Sequence, residues 1–288
     1  MNNSPSNSPL VTVILPVKNG HKTIIRAVQS VIDQTYRPIE IIVVNEHAGF
    51  KTASKEENLG NQEASESQEA RENRLSEDLK SLLNSHFGQY PFFRIIDGLA
   101  QGPGVARDMA VKAGNGPYVA FLDDDDIWSQ TDKLALQMAF LTNPANSEIE
   151  VVGTETTYFI DEFGEAVKTI TQPTNPKDVH NQMLLRNPLI TSSVLIRKDA
   201  YLRAGGFKPM YLAEEYDLWL RMAREKNVIA NVPNTSIKYT FRSNSISQRR
   251  KLGMAKNVLI LVLKNIRYYP NRILAIIKAK LRILKALF

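Results

Sequence analysis

Two short apolar runs near the start of the chain, separated by one amphipathic segment, constrain the fold most strongly. Residues 10–15 (LVTVIL) and 40–44 (EIIVV) are rich in β-branched and aliphatic side chains, which is typical of strands buried on both faces. Between them, residues 21–34 place apolar side chains at helical spacing. A strand, a helix and a strand at this spacing predict a βαβ unit with two parallel strands. We expect the first strand to stop at Pro16.

The same alternation of strands and helices continues to the middle of the chain. Buried strands are predicted at 92–96 and 118–122, and helices at 105–113 and 133–141. Beyond residue 148 the pattern is mixed and predicts a strand at 150–160, a turn, a strand at 167–171, a strand at 195–197, a helix at 214–224 and a strand at 236–241. We therefore expect an α/β protein with a mixed, mostly parallel sheet, in which a parallel half continues into an α+β half.

Two segments interrupt this pattern. Residues 51–83 are rich in Glu, Gln, Ser and Asn and poor in bulky apolar residues, which predicts an exposed, partly helical insertion. The first nine residues are rich in Ser, Asn and Pro, so we expect a disordered start and not a signal peptide. No run reaches 18 apolar residues, and no conventional transmembrane helix is predicted.

Charge is distributed unevenly along the 288 residues. The chain carries 36 Lys and Arg against 30 Asp and Glu, a net +6. Residues 226–288 hold 14 of the basic residues and no acid, so the remaining 22 face all 30 acids and residues 1–225 carry −8. A basic protein can indicate a nucleic-acid partner. Because the basic residues are confined to one end without a recognised binding motif, we predict no nucleic acid.

Four consecutive aspartates, at 123–126, directly follow the predicted strand at 118–122. Ligands of open parallel sheets bind at the carboxyl ends of the strands. Four adjacent carboxylates repel one another unless a cation neutralises them, and Mg²⁺ and Mn²⁺ prefer oxygen ligands that they share with substrate phosphates. The run therefore predicts a site for one of these cations, with a solvated acidic turn as the alternative.

Other residue types restrict the chemistry further. The chain has no Cys, which excludes disulfides, thiolate zinc sites and a cysteine nucleophile. The four His are widely spaced and form no close pair in the sequence, so no His-based metal site is predicted. Trp128 and Trp219 are predicted to be packing residues, while stacking of Trp128 on a sugar remains an alternative.

Several sequence blocks, in chain order, resemble the patterns of glycosyltransferase family 2. Residues 116–128 (GPYVAFLDDDDIW) are similar to the family's strand and its D-x-D motif. The other blocks are PVKN at 16–19, EIIVVNE at 40–46, GPGVARDMA at 102–110, NPLITSSVLIR at 187–197, GGF at 205–207 and EEYDLWLR at 214–221. The resemblance covers roughly residues 10–245.

This resemblance implies a fold of GT-A type and an inverting transfer of one sugar. The implied donor is a nucleotide-diphospho-sugar, with a UDP-sugar expected, and the implied acceptor is a glycan or a lipid-linked molecule. Such a reaction would serve the synthesis of cell-surface polysaccharides or glycans. A processive polysaccharide synthase would carry a Q-x-x-R-W motif and membrane helices, which this sequence lacks.

The resemblance also implies donor-side residues. Asp123 and Asp125 stand at the D-x-D positions, with Asp125 as the direct ligand of Mn²⁺ or Mg²⁺ and Asp123 or Asp124 at the ribose or beside the metal. Arg107 is expected near the nucleotide, where a guanidinium suits base or phosphate contacts. The pocket for the base and ribose is expected to be lined by Pro16, Val17, Asn19, Asn45 and Glu46.

On the acceptor side, the resemblance implies a catalytic base near residue 215. Glu215 stands where the family usually has Asp, and a general base must reach the acceptor hydroxyl. Because the Glu side chain is one methylene longer, Glu214 and Asp217 are alternatives. Acids at a helix N-terminus can also serve only to stabilise the helix dipole.

Two other functions remain open. Asn45 in place of the usual Asp, together with Glu215, motivates a non-catalytic nucleotide-sugar-binding protein or a membrane-tethered scaffold that retains the fold. A sugar nucleotidyltransferase is disfavoured, because residues 16–20 lack the Gly-rich loop with Arg and Lys that this class carries after its first strand.

The basic tail, residues 249–288, combines apolar residues at helical spacing with Lys and Arg, and Pro270 divides it into two predicted helices. Such helices either lie on an anionic membrane surface or pack on the body of the protein. We expect a cytoplasmic protein that is peripheral at the inner face of the cell membrane. The predicted organisation has three parts: a disordered start at 1–9, a glycosyltransferase domain at 10–245 and a basic helical tail at 246–288. Within the domain, a nucleotide-sugar-binding half at 10–128 contains an insertion at about 51–88, and an acceptor half follows at 129–245.

Overall fold

The computed structural model describes most of the chain. The described ranges are 8–18, 20–47, 68–210, 212–224, 228–242 and 249–287. Asn19, nearly all of the predicted disordered start and the first part of the predicted insertion therefore lie outside the described residues.

Strands and helices alternate through the first half of the described chain, as predicted, whereas the later part is mixed and includes two short helices, at 176–182 and 198–203, that were not predicted. The strands are β1 (Val11–Val17), β2 (Ile39–Asn45), β3 (Phe93–Asp97), β4 (Tyr118–Phe121), β5 (Val151–Ile160), β6 (Ala166–Thr171), β7 (Leu195–Arg197) and β8 (Ile229–Thr240). The helices are α1 (Ile24–Ile32), α2 (Gln68–Phe87), α3 (Pro103–Ala113), α4 (Lys133–Thr142), α5 (Pro176–Gln182), α6 (Lys198–Arg203), α7 (Glu214–Met222), α8 (Lys251–Asn265) and α9 (Arg272–Leu287).

One mixed sheet contains all these strands, in the order β3-β2-β1-β4-β7-β5-β6, with β8 paired to β5. Strands β3, β2, β1 and β4 are parallel, which confirms the βαβ prediction. The second half begins at β7, which runs antiparallel to β4. The parallel strands place the residues that follow β1, β2 and β4 at one edge of the sheet.

The prediction that the first strand stops at Pro16 is wrong, because β1 continues to Val17. Pro16 lies opposite Val44 of β2, whereas pairing with β4 on the other side ends at Ile14. Proline has no backbone N–H to donate. Proline is tolerated at position 16 because its backbone nitrogen faces β4, and the pairing of β1 with β4 has already ended at Ile14.

The structure extends the prediction for the last strand. β8 begins at Ile229, seven residues before the predicted start, and pairs with β5 at both of its ends, with a register shift across residues 233–235. Asn231 and Asn234 resemble turn formers in the sequence. In the structure Asn231 is buried and donates to the carbonyl of Pro173 at 2.9 Å, while Asn234 has a left-handed φ of 58° at a shift of the strand register. Long-range pairing therefore overrides the local signal.

Hydrophobic cores lie on both faces of the sheet. On one face, α1, α2 and α4 cover the strands through residues such as Val28, Leu79 and Leu134. On the other face, α3 and α7 pack together with the tail helices, of which Leu261 of α8 is fully buried.

The two tail helices are divided near Pro270, as predicted, and both pack on the body. Tyr269 between them donates to the carbonyl of Leu220 in α7 at 2.7 Å, and Ala275 and Ala279 bury one side of α9. Among the described residues, no helix combines the length and the apolarity that crossing a membrane requires.

Candidate active site

The four aspartates after β4 do not share one environment. Asp126 is fully buried, and its carboxylate accepts hydrogen bonds from the Ser192 hydroxyl at 2.5 Å and the Thr240 N–H at 2.7 Å. These bonds tie the loop to the short helical turn at 191–193 and to the end of β8. Asp126 is therefore a structural residue, whereas Asp123, Asp124 and Asp125 remain partly exposed at the edge of the sheet.

Two arginines pair with carboxylates in the exposed part of this acidic loop, and Arg26 donates to the Asp125 carbonyl at 3.3 Å. Arg107 of α3 forms an ion pair with Asp123, and its other terminal nitrogen lies 3.6 Å from Glu214 Oε1. Arg242, which follows β8, places Nε 3.1 Å from Asp125 Oδ2. Through these two contacts the buried Arg107 side chain connects the predicted donor-side loop to the first turn of α7. Arg242 was not predicted, since nothing in its local sequence marks it.

The arginines leave excess negative charge in the loop. Burial and the neighbouring Asp125 and Asp123 raise the pKa of Asp124 to about 7. Burial and Asp123 likewise raise the pKa of Asp125 to about 6, against the opposing effect of Arg242. A divalent cation would relieve this repulsion, and carboxylate oxygens are the donors that Mg²⁺ and Mn²⁺ prefer.

The protein alone does not complete a metal site in the part of the chain described. Within those residues, no group of three or more His, Asp or Glu side chains is arranged to hold a metal ion. His21 and His47, distant in the sequence, have ring centroids 5.7 Å apart, and His47 Nδ1 lies 2.7 Å from Glu72 Oε2. Carboxylate oxygens, such as those of the acidic loop, are the donor type that Mg²⁺ and Mn²⁺ share with substrate phosphates.

Gly20, after β1, allows the Asp124 carboxylate to approach the backbone. A Cβ at position 20 would overlap Asp124 Oδ2 and lie 2.8 Å from a methyl group of Val17. The Thr23 hydroxyl lies 3.5 Å from the same carboxylate oxygen. A side chain at position 20 would thus displace Asp124.

We expect Gly20→Ala to reduce turnover by about 10- to 100-fold with little loss of stability, because a displacement near 1 Å in a site has that effect while the Asp124 side chain can rotate away. Nucleotide release and the thermal midpoint measure the two quantities. Lys22→Ala, an exposed neighbour, is the control. Unchanged turnover in Gly20→Ala would show that the position of Asp124 is unimportant.

Of the residues expected to line the base and ribose pocket, Pro16, Val17, Asn45 and Glu46 lie at the ends of β1 and β2, and helix α2 covers Asn45. Asn45 is fully buried; its Nδ2 donates to Ser76 Oγ at 2.7 Å and its Oδ1 accepts the His47 N–H at 3.2 Å. Glu46 is also buried and accepts from the Gly102 N–H at 3.2 Å. In this conformation the Asn45 amide is occupied by the protein itself. The sequence pattern of the insertion does not reveal this contact.

The acids of α7 follow an unusual backbone. Leu212 and Ala213 both have left-handed φ values, 73° and 64°. Each such residue costs about 1–3 kcal/mol and persists only where the surroundings fix it, often at functional sites. The two residues turn the chain so that α7 starts beside Arg107.

The structure separates the three candidate bases. Asp217 lies 2.7 Å from Arg221, which also donates to the Gly206 carbonyl at 2.7 Å, so this pair is structural. Glu214 is engaged by Arg107. Burial and the charge of Glu214 raise the pKa of Glu215 from its ordinary value to about 7. Glu215 also lines a cavity of about 510 Å³, which makes it the candidate with access to a ligand.

Both tryptophans pack in the interior, in line with the prediction. Trp128 is 1% exposed and donates from Nε1 to the Ser192 carbonyl at 2.7 Å, and Trp219 is fully buried. The side-chain nitrogen of Lys133 lies 3.7 Å from the Trp128 ring centroid. The rings are therefore closed to a sugar in this conformation.

Comparisons with known proteins agree with this architecture. A family model described as "Glycosyltransferase like family 2" matches residues 69–273, well over half of the chain. A second model, "Glycosyl transferase family 2", matches residues 12–54. The two matches together include the acidic loop, α7 and α8.

Individual relatives are moderately similar. An uncharacterised glycosyltransferase of Haemophilus influenzae is 26% identical over 93% of this chain and 76% of its own length. The Escherichia coli protein WfgD, named a UDP-Glc:α-D-GlcNAc-diphosphoundecaprenol β-1,3-glucosyltransferase, is 28% identical over 84% of this chain and 81% of its own length.

Among solved structures, a mannosyltransferase from Pyrobaculum calidifontis, in complex with GDP-Man and Mn²⁺, matches with a TM-score of 0.58. The match covers 99% of this chain and 76% of that chain. Because the two sequences are only 16% identical, the match shows a shared fold and nothing more. The expected GT-A type fold is thereby confirmed. The chain belongs to glycosyltransferase family 2 and is a glycosyltransferase.

Proposed function

We propose that this glycosyltransferase moves one sugar, with inversion at the anomeric carbon, from a UDP-sugar to a glycan or lipid-linked acceptor with the help of Mn²⁺ or Mg²⁺. The observation that carries the proposal is the bridge made by Arg107. It contacts Asp123 of the acidic loop and Glu214 of α7, which supports one site that includes the donor-side acids and Glu215, the residue after Glu214.

In the proposed reaction, Asp125 and Asp123 would hold the cation, which supplies positive charge to the diphosphate leaving group. Glu215 accepts the proton of the acceptor hydroxyl. The hydroxyl oxygen then forms the new bond to the anomeric carbon as the bond to the nucleoside diphosphate breaks. Arg107 adds a fixed positive charge beside the loop, which favours the developing negative charge.

The choice of substrates rests on the relatives. The name of WfgD gives UDP-Glc as its donor and a diphosphoundecaprenol-linked sugar as its acceptor. The archaeal mannosyltransferase was solved with GDP-Man and Mn²⁺. These names support a divalent cation and a lipid-linked acceptor, and the bacterial relative favours UDP over GDP.

The direct test is nucleotide release from a panel of UDP- and GDP-sugars, with Mn²⁺ or Mg²⁺ and a lipid-linked acceptor. We expect release with at least one UDP-sugar and none after removal of the cation with a chelator. The non-catalytic alternative, favoured by the covered Asn45, predicts calorimetric binding of UDP-sugar without release. Absence of both binding and release for every donor would refute the proposal.

The elevated pKa of Glu215 predicts a pH dependence. A base with a pKa of about 7 is protonated and inactive below that pH, so kcat/KM should rise tenfold per pH unit up to about 7 and level off above it. A rate profile between about pH 5 and 9 measures this limb. If kcat/KM instead levels off at about pH 4.3, the ordinary pKa of Glu, the base does not lie in the buried position beside Glu214.

We also propose that α9 lies on an anionic membrane surface, as expected for a peripheral protein of the inner face. One face of this helix carries apolar side chains that are 45% to 77% exposed: Ile273, Leu274, Ile277, Leu281, Leu284 and Leu287. Lysines at 278, 280 and 285 accompany them. An exposed apolar stripe with basic neighbours is typical of interfacial helices.

We expect the full chain to bind phosphatidylglycerol vesicles, with affinity that falls as salt rises. Ile277→Asn with Leu281→Asn should weaken binding at least about tenfold, since each side chain contributes roughly 1–2 kcal/mol on burial. Phe163→Asn, at an apolar side chain 84% exposed in another part of the protein, is the control. Equal sedimentation of all variants with vesicles would contradict the role of α9. Deleting the tail would open the core at Leu261 and is not a suitable test.

A further inference from the structure

The cavity beside Glu215 is lined in part by α8 and α9, which lie outside the sequence blocks that carry the resemblance. It lies between the first turn of α7, the first turns of α8 and the last turns of α9. Its volume of about 510 Å³ is within the range of ligand pockets, about 300–1,000 Å³. The tail helices therefore form one wall of a pocket whose other wall carries the candidate base.

Three basic side chains line this cavity, namely Lys251, Arg282 and Lys285. Arg282 is partly buried and fixed by a hydrogen bond from its guanidinium to the Leu185 carbonyl at 2.8 Å. Among the ion pairs of the described residues, none involves these three side chains. Three cations against one carboxylate favour an anionic ligand, and Arg and Lys are the usual partners of phosphate oxygens.

Most of the remaining lining is apolar, apart from Asn187 and the hydroxyl of Tyr216. Met254, Ala255 and Val258 of α8 and Ala286 of α9 contribute to it. Leu281 and Leu284 of α9, which flank the lining residues Arg282 and Lys285 in the sequence, are about half exposed. A ligand that carries both phosphate and an aliphatic chain matches this combination of charges and apolar surface.

The donor does not account for this chemistry. None of the four aspartates lines the cavity, whereas the donor diphosphate is proposed to bind with the cation at Asp123 and Asp125. Glu215, which faces the acceptor, does line it. In a diphospholipid-linked acceptor the sugar is bonded directly to the diphosphate, so a hydroxyl at the base and phosphates at the cations can come from one molecule.

Resting on the function proposed above, we propose that this cavity binds the diphosphate and adjoining sugar of a lipid-linked acceptor. Lys251, Arg282 and Lys285 contact the diphosphate, the apolar wall contacts the first part of the lipid chain, and Glu215 faces the sugar. The tail helices are then part of the acceptor site. The enzyme would select a diphospholipid over a neutral glycan.

Farnesyl diphosphate is a suitable probe, because it carries a diphosphate and a short isoprenoid chain, and farnesol is its uncharged counterpart. Calorimetry should show binding of farnesyl diphosphate that UDP does not displace, and much weaker binding of farnesol. The double variant Lys251→Gln with Lys285→Gln should weaken binding by about tenfold or more, since charge-assisted contacts are lost. The matched pair Lys256→Gln with Lys264→Gln removes two exposed charges of α8 outside the cavity and should leave binding unchanged.

Several outcomes would overturn the inference. Equal weakening in both pairs would indicate general electrostatic attraction, and displacement by UDP would place the probe in the donor site. Competition by phosphatidylglycerol vesicles that abolishes probe binding would assign the cavity to a bilayer headgroup. UDP affinity, measured in the same experiment, distinguishes failure of the cavity assignment from failure of the proposed function. If the unaltered protein neither binds nor turns over a donor, the proposed function is refuted. If the unaltered protein binds UDP but not farnesyl diphosphate, only the cavity assignment is refuted.

Discussion

Asp125→Asn is expected to reduce nucleotide release by about 100- to 1,000-fold, the usual effect of removing one charge-stabilising group from an active site. Asn keeps the shape of the side chain but cannot supply the negative oxygen that a divalent cation prefers. Asp125 faces the edge of the sheet, and its protein partner is Arg242 at 3.1 Å. Turnover with a UDP-sugar at several Mn²⁺ concentrations measures the effect.

A matched control separates the loss of a ligand from a general change of charge. Asp132→Asn makes the same change at an exposed position just before α4, and the Asp132 side chain makes no capping hydrogen bond there. We expect it to retain full turnover. Full turnover in Asp125→Asn itself, with normal cation dependence, would show that the cation is held elsewhere.

Glu215→Gln is expected to reduce kcat by about 100- to 10,000-fold while the affinity for the donor stays unchanged, since general base catalysis contributes that much to proton transfer. The amide is nearly isosteric and cannot take the proton of the acceptor hydroxyl. Its pH profile should also lack the limb near pH 7. Single-turnover transfer and calorimetry with UDP measure the two quantities separately.

The neighbouring acids of α7 provide the comparison. Glu214→Gln removes one of the two carboxylate partners of Arg107 and should weaken donor binding more than proton transfer. Asp217→Asn breaks the pair with Arg221 and should lower the thermal midpoint instead. If Glu214→Gln abolished transfer while Glu215→Gln retained it, Glu214 would be the base. Retention of transfer by all three variants would show that none of these acids is the base, whereas donor binding without transfer in the unaltered protein would favour the non-catalytic alternative.

Much of the first half of the fold could be predicted from local pattern. The runs at 10–15 and 40–44 are apolar on both faces, and a chain can bury such a strand only inside a sheet with helices on both sides. The position of the acidic run after β4 followed from the same argument, because parallel strands end at one edge. The prediction that β1 ends at Pro16 was wrong. A proline is excluded from a strand only where a neighbouring strand would need a hydrogen bond from its missing backbone N–H.

The roles of individual acids could not be predicted in the same way. The four consecutive aspartates cannot be told apart by residue type. In the structure only Asp126 turns inward, because the Ser192 hydroxyl and the Thr240 N–H donate to its carboxylate. Glu214 and Asp217 are engaged by arginines from α3 and from the same helix, which leaves Glu215 facing the cavity. Asn45 is covered by α2, which lies after a long segment with no strong pattern.

The sequence by itself determined most of the strands and longer helices, the acidic run and the two basic tail helices, because the spacing of apolar and charged residues is a property of neighbouring residues. Only the tertiary structure decided which charges are paired, which carboxylate is left with access to a ligand, and that α8 and α9 both join the core and line a cavity beside Glu215. The physical reason is that the environment of a charged group depends on segments distant in the chain. Its burial and its partner exist only once those segments have packed together.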